Sequence, residues 1–185
     1  MIELEDFFED VIGKTIRGTG MADGVLSFLT NVEPDAIAKL KNGEFDEVAV
    51  RAIAPALGLD ADCLVELANR DWRPESVNLE GLRQSNTVFD PDPDDMMTVN
   101  SYLIWDPQTK EAALFDTGAD ASPALEMVTK LGVDLKTLFI THSHIDHIID
   151  RERVVEAHPE IRVLVNAKEP VAGAERFAVG ETFSI

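Results

Sequence analysis

Leu138-Phe139-Ile140-Thr141-His142-Ser143-His144-Ile145-Asp146-His147 is the stretch on which the reading of this chain turns. Three of the four histidines in 185 residues fall within its last six positions. The run from Leu135 to Thr141 reads as a buried strand, which gives the polar residues after it a rigid base. In an extended segment residues two apart point to the same side, so His142 and His144 can offer imidazoles to one ion. A turn after them brings Asp146 and His147 to a neighbouring position. Nitrogen and carboxylate donors without a thiolate suit Zn²⁺, and also Fe or Mn. The bland alternative is a polar surface loop. It does not explain why so few histidines gather beside an aspartate.

Working outward, Val99 to Trp105 reads as a strand and Asp106-Pro107-Gln108 as a turn. Glu111 to Phe115 is a second strand, closed by Asp116-Thr117-Gly118. Ser122-Pro123 opens a helix that runs through Leu131 and stops at Gly132. Beyond the histidines, Arg153 to Ala157 lies in a helix and Ile161 to Val165 in a strand. Gly180 to Ile185 looks like the start of another. Strands alternating with helices indicate an α/β layer architecture.

The first part of the chain is different. Phe8, Ile12 and Ile16 recur at helical spacing, and a short second helix carries Val25, Phe28 and Leu29. Pro34 opens a third helix that stops at Asn42-Gly43. Val48, Val50, Ile53, Ala54 and Leu57 make a fourth, closed by Gly58, and Asp60 caps a fifth holding Leu64, Val65 and Leu67. The expected organisation is a helical domain over 1–74, a proline-marked linker over 75–97 and an α/β domain over 98–185. Within the linker, Asp90, Asp92, Asp94 and Asp95 invite a calcium loop. The spacing refuses it, because Asp95 stands where the loop needs Gly and Ser101 where it needs Glu.

The charge narrows the partners. Thirty-five acidic residues against 16 basic ones give a net charge of −19, which repels DNA, RNA and anionic membranes. No apolar run approaches a membrane span. The acidic start, Met1 to Asp6, is unlike a signal peptide, and the single cysteine, Cys63, excludes an internal disulfide. Cys63 itself reads as a small helical residue. A soluble cytoplasmic protein is expected.

His142-x-His144-x-Asp146-His147 after an apolar strand resembles the signature of the metallo-β-lactamase superfamily. The hairpin from Val99 to Gly118 resembles that family's opening hairpin, and the resemblance extends from about Thr98 to Ile185. It implies an αββα sandwich carrying one or two metal ions, usually zinc. The residues matching His142 and His144 would bind the first metal, and those matching Asp146 and His147 the second. Asp146 would also orient the attacking water, and the residue matching Asp116 would steer ligands through hydrogen bonds. The implied activity is hydrolysis by a metal-bound water of a small-molecule ester, thioester, lactam or phosphoester. The pattern is incomplete, because the 38 residues after His147 hold one histidine, His158, which reads as a helix-end residue. The chain is therefore expected to carry the first half of such a sandwich. With Leu103, Leu114 and Ile140 left uncovered, it is expected to form a homo-oligomer.

The helical part resembles a Cro/repressor-type helix-turn-helix. Ile37 to Gly43 takes the place of its recognition segment, and Asn31 stands in the tight turn. Residues 1–75 hold 16 acidic and 7 basic residues, a net of −9, so a nucleic-acid partner is not expected. Such a fold would then serve contact with protein or substrate. The alternative function is a regulatory or interaction module whose metal site is vestigial.

Overall fold

The computed structural model describes residues 4–75, 79–90 and 97–185. These form two compact units: Asp6–Pro74, and Glu75–Ile185 together with the short segment ending at Glu5. The acidic residues Asp92, Asp94 and Asp95 lie outside the described residues. Among the described residues no helix is long and apolar enough to cross a membrane.

The first unit contains α1 (Phe8–Thr19), α2 (Asp23–Thr30), α3 (Pro34–Lys41), α4 (Glu47–Ile53) and α5 (Ala61–Ala68). Phe8, Ile12 and Ile16 are buried, as their spacing requires, with Ile37, Leu40, Val50, Ile53, Leu64 and Val65 completing the core. The helix ends follow from side-chain acceptors. Asp46 takes the N–H groups of Val48 and Ala49 at the start of α4, and Asp60 takes that of Cys63 at the start of α5. Two expectations are corrected. The inward residue of α2 is Leu26, while Phe28 is 86% exposed and Val25 and Leu29 also face out. With only two turns, α2 has one residue to spare for the core, and the apolar run hides which one. The fourth helix also ends earlier than its periodicity suggests. Pro55 brings no N–H to the ladder, and Pro55–Leu57 tightens into a 3₁₀ turn.

The second unit is built on one six-stranded mixed sheet in the order β1 (Leu82–Asp90), β2 (Met97–Trp105), β3 (Glu111–Phe115), β4 (Asp134–Ile140), β5 (Arg162–Asn166) and β6 (Glu175–Phe177). The β1–β2 and β2–β3 pairs are antiparallel, and β3–β4, β4–β5 and β5–β6 are parallel. Parallel neighbours need crossovers. They are supplied by α6 (Ser122–Leu131) between β3 and β4, and by α7 (Ile145–Ile148) with α8 (Arg151–Ala157) between β4 and β5. Leu103, Leu114, Leu138, Ile140 and Val165 pack with Ala124 and Val128 of α6 and Val154 of α8. Leu103, Leu114 and Ile140 are thus buried within the unit, and the uncovered face expected for them does not exist. Phe115, Phe139, Phe177 and Phe183 gather in a separate aromatic cluster, with Phe115 and Phe139 stacked at 4.9 Å between ring centres.

Three further differences concern boundaries. The stretch read as a linker contains β1, whose buried residues are Ser85 and Thr87. They are satisfied by Ser101 Oγ at 2.6 Å and by the Ala119 N–H at 2.9 Å. A strand that buries hydroxyls leaves no apolar alternation to read. The three residues of β6 are too short to show a period. Gly180 to Ile185 is not a strand.

Candidate metal centre

Parallel pairing of β3 with β4, with Phe115 opposite Phe139, sets the residues after each strand side by side. In open α/β sheets the carboxyl ends of parallel strands are the usual place for ligands. Asp116 follows β3 in the left-handed conformation at φ 57°, which aspartate tolerates better than most residues. Its N–H donates to the Phe139 carbonyl at 2.8 Å. Its carboxylate, 4% exposed at the residue level, accepts three hydrogen bonds. The donors are Thr141 N–H at 2.7 Å, Thr141 Oγ1–H at 2.6 Å and His147 Nδ1–H at 2.9 Å.

That arrangement fixes two imidazole tautomers. Thr141 has one hydroxyl proton and gives it to Asp116, so at 2.9 Å from His142 Nδ1 its oxygen can only accept. His142 and His147 therefore both carry a proton on Nδ1 and keep the Nε2 lone pair for a ligand bond. One ligand atom each from Asp116, His142 and His147 lies within 4.8 Å of the others. The ring of His142 is 4.1 Å from that of His147 and 4.5 Å from that of His144, centre to centre. Asp146 Oδ2 stands 3.4 Å from His147 Nε2.

The helical turn α7 is pinned as well. Thr117 donates its N–H to the His147 carbonyl at 3.0 Å, and its Oγ1–H is shared between the carbonyls of Gly118, at 2.8 Å, and His147, at 3.1 Å. Ser143 N–H, between the first two histidines, donates to Glu169 Oε2 at 2.8 Å. From the chain start, the Glu5 carboxylate accepts the Asn100 N–H of β2.

Electrostatics pull the two fixed rings apart. Burial, then the neighbouring His147 and His144, push the His142 pKa down. Burial also works against the charged form of His147. There it is outweighed by the hydrogen bond His147 donates to Asp116 and by the charges of Asp116, Asp146 and Glu5, so His147 moves up.

The structure brings together His142 and His147 of the expected ligands, with Asp116 as the third member of the tight group. His144 and Asp146 stand at its edge, each against one of the two rings. His158 is the C-cap residue of α8, as its place before Pro159 suggests. Thr141 and Glu169 were not singled out in the sequence. Thr141 lay inside the decisive stretch but chelates nothing itself, and nothing near Glu169 in the chain marks it. As a donor set, imidazole nitrogens and carboxylates with preset tautomers fit a divalent ion such as zinc.

Residues 95–184 match the family described as the Metallo-beta-lactamase superfamily. Among curated proteins, the chain is similar to the hydroxyacylglutathione hydrolase of Synechococcus sp. (strain JA-2-3B'a(2-13)), with 40% identity over 62 residues, 34% of this chain and 24% of that protein. It is also similar to hydroxyacylglutathione hydrolase GloC of Haemophilus influenzae, 41% identical over 49 residues, 26% of this chain and 23% of that one. The matches thus span about a quarter of those relatives. Among solved structures, ETHE1 from Myxococcus xanthus aligns with 51% of this chain and 39% of its own at 28% identity and a TM-score of 0.40.

Proposed function

We propose that this chain belongs to a metal-dependent hydrolase of the metallo-β-lactamase superfamily, with a small-molecule thioester as its substrate class. The observation that supports it most is the Asp116–Thr141–His142/His147 network, in which one buried carboxylate presets two imidazoles for a cation. His142, His144, Asp146 and His147 would hold one or two ions, zinc first and iron or manganese next. Asp116 would hold the rings rather than the ion, since its oxygens already accept three hydrogen bonds. When bound, the metal supplies a nucleophile at neutral pH and polarises the scissile carbonyl. Asp146, whose carboxylate lies beside His147 Nε2, would orient the attacking water. The thioester assignment follows the two hydroxyacylglutathione hydrolases, over the short stretches that match.

The helical unit is read as a repressor-like fold that contacts protein or substrate rather than duplex DNA. Asn31 does take the left-handed turn between α2 and α3, at φ 56°. The two cations of α3 are spoken for, Lys39 by Asp35 and Lys41 by Asp23. The regulatory alternative with a vestigial metal site finds no favour in the relatives above.

The test is thiol release from a hydroxyacylglutathione thioester, followed with a thiol-reactive dye at saturating Zn²⁺, Fe²⁺ or Mn²⁺. A slow rate that exceeds the metal-free rate and is lost in His144→Ala is expected. A rate indifferent to metal and to that substitution overturns the reading.

A further inference from the structure

The loop that carries His142 and His144 is tied down by a second carboxylate, from an element the family motif does not include. Parallel pairing of β4 with β5, with Ile140 opposite Val165, places the turn after β5 beside the segment after β4. That turn is built locally. Asn166 Oδ1 accepts the Lys168 N–H at 3.0 Å, and the Asn166 carbonyl accepts the Glu169 N–H at 2.9 Å. The turn aims Glu169 at the N–H of Ser143, the residue between the two histidines, at 2.8 Å.

We propose that Glu169 is a positioning residue of the metal centre: it fixes the Ser143 peptide so that His142 and His144 face one ion, and it adds a negative charge beside both rings. This rests on the metal-centre reading above. Two features set Glu169 apart from an ordinary surface carboxylate. It is half-buried and bonds to backbone rather than to a lysine or arginine, so it spends its acceptor on geometry. Its carboxyl also stands close to His142 and His144, on the loop to which it is bonded. A charge bonded to the loop between two ligands acts on their orientation and on the cation at once, which is how outer partners commonly tune metal affinity by 10–100-fold.

Two substitutions in the full 185-residue chain separate the two effects. Glu169→Gln keeps an oxygen for the Ser143 N–H and removes the charge, while Glu169→Ala removes both. Co²⁺ and Zn²⁺ affinities are measured by chelator competition, with the visible absorption of the Co²⁺ form and urea unfolding of the metal-free chains recorded alongside. Glu169→Ala is expected to lower affinity by about 10-fold or more and to shift the Co²⁺ bands, with the metal-free unfolding midpoint nearly unchanged. Glu169→Gln should fall between Ala and wild type. Wild-type affinity and spectrum in Glu169→Ala overturn the proposal while leaving the metal centre standing. A wild-type chain that takes up neither ion overturns both.

Discussion

Asp116→Asn is the substitution that bears hardest on the network. Asparagine keeps the size of the side chain and its tolerance of the left-handed backbone, so strain at φ 57° changes little. What changes is the count of acceptors. Three donors converge on two carboxylate oxygens, and the amide retains only one oxygen. If that oxygen keeps the Thr141 N–H, the amide NH₂ faces Thr141 Oγ1 and His147 Nδ1. His147 must then move its proton to Nε2, the nitrogen meant for the ion, and the hydroxyl of Thr141 is freed to donate to His142 Nδ1. Both imidazoles lose their preset tautomer together. Hydrogen bonds to a charged group contribute about 1.5–3 kcal/mol each, and at least one of the three is lost or inverted, so metal-free stability should fall by about 2 kcal/mol. Metal affinity should fall by about 100-fold, the upper end for loss of an outer partner, because one change disturbs two ligands. Urea unfolding without metal and chelator competition for Zn²⁺ measure the two quantities separately. An Asp116→Asn chain with wild-type affinity would refute the tautomer argument, whatever its stability.

Other outcomes follow from single contacts. Thr141→Val should cost about 10-fold in Zn²⁺ affinity while Thr141→Ser keeps it, since only the hydroxyl relays Asp116 to His142; equal losses in both, measured by the same competition, would contradict that relay. Gly118→Ala should destabilise by at least about 1–2 kcal/mol in urea unfolding, because Gly118 has φ +66° and a Cβ there would stand 2.6 Å from Thr87 Oγ1. An unchanged midpoint would mean the turn after β3 is slack. Asp46→Ala should cost about 0.5–2 kcal/mol through the exposed N–H groups of α4, read as lost helicity and a lower midpoint by circular dichroism, with no change in metal affinity.

The elements that could be read directly are those whose chemistry is local. The helix from Ser122 to Gly132 declares itself by its proline start and glycine stop, and β4 by an apolar run. The histidines were legible because their spacing alone puts two rings on one side. The features that escaped depend on partners distant in the chain. β1 buries Ser85 and Thr87, whose satisfaction comes from Ser101 and Ala119. The inward residue of α2 is chosen by packing among Val25, Leu26, Phe28 and Leu29. Glu169 reaches Ser143 across 26 positions through the pairing of β4 with β5. The covering of Leu103, Leu114 and Ile140 by α6 and α8 is likewise a consequence of crossovers, and it removes the argument for association that rested on those residues.

Residues 142–147 are read as a metal centre. Its most direct test is elemental analysis after identical Zn²⁺ loading and gel filtration of the wild-type chain, His142→Ala and His158→Ala. The wild-type chain and His158→Ala should retain the same zinc, since His158 only ends α8, and His142→Ala should retain little or none. Equal zinc in the wild-type chain and His142→Ala would mean that residues 142–147 do not hold the ion.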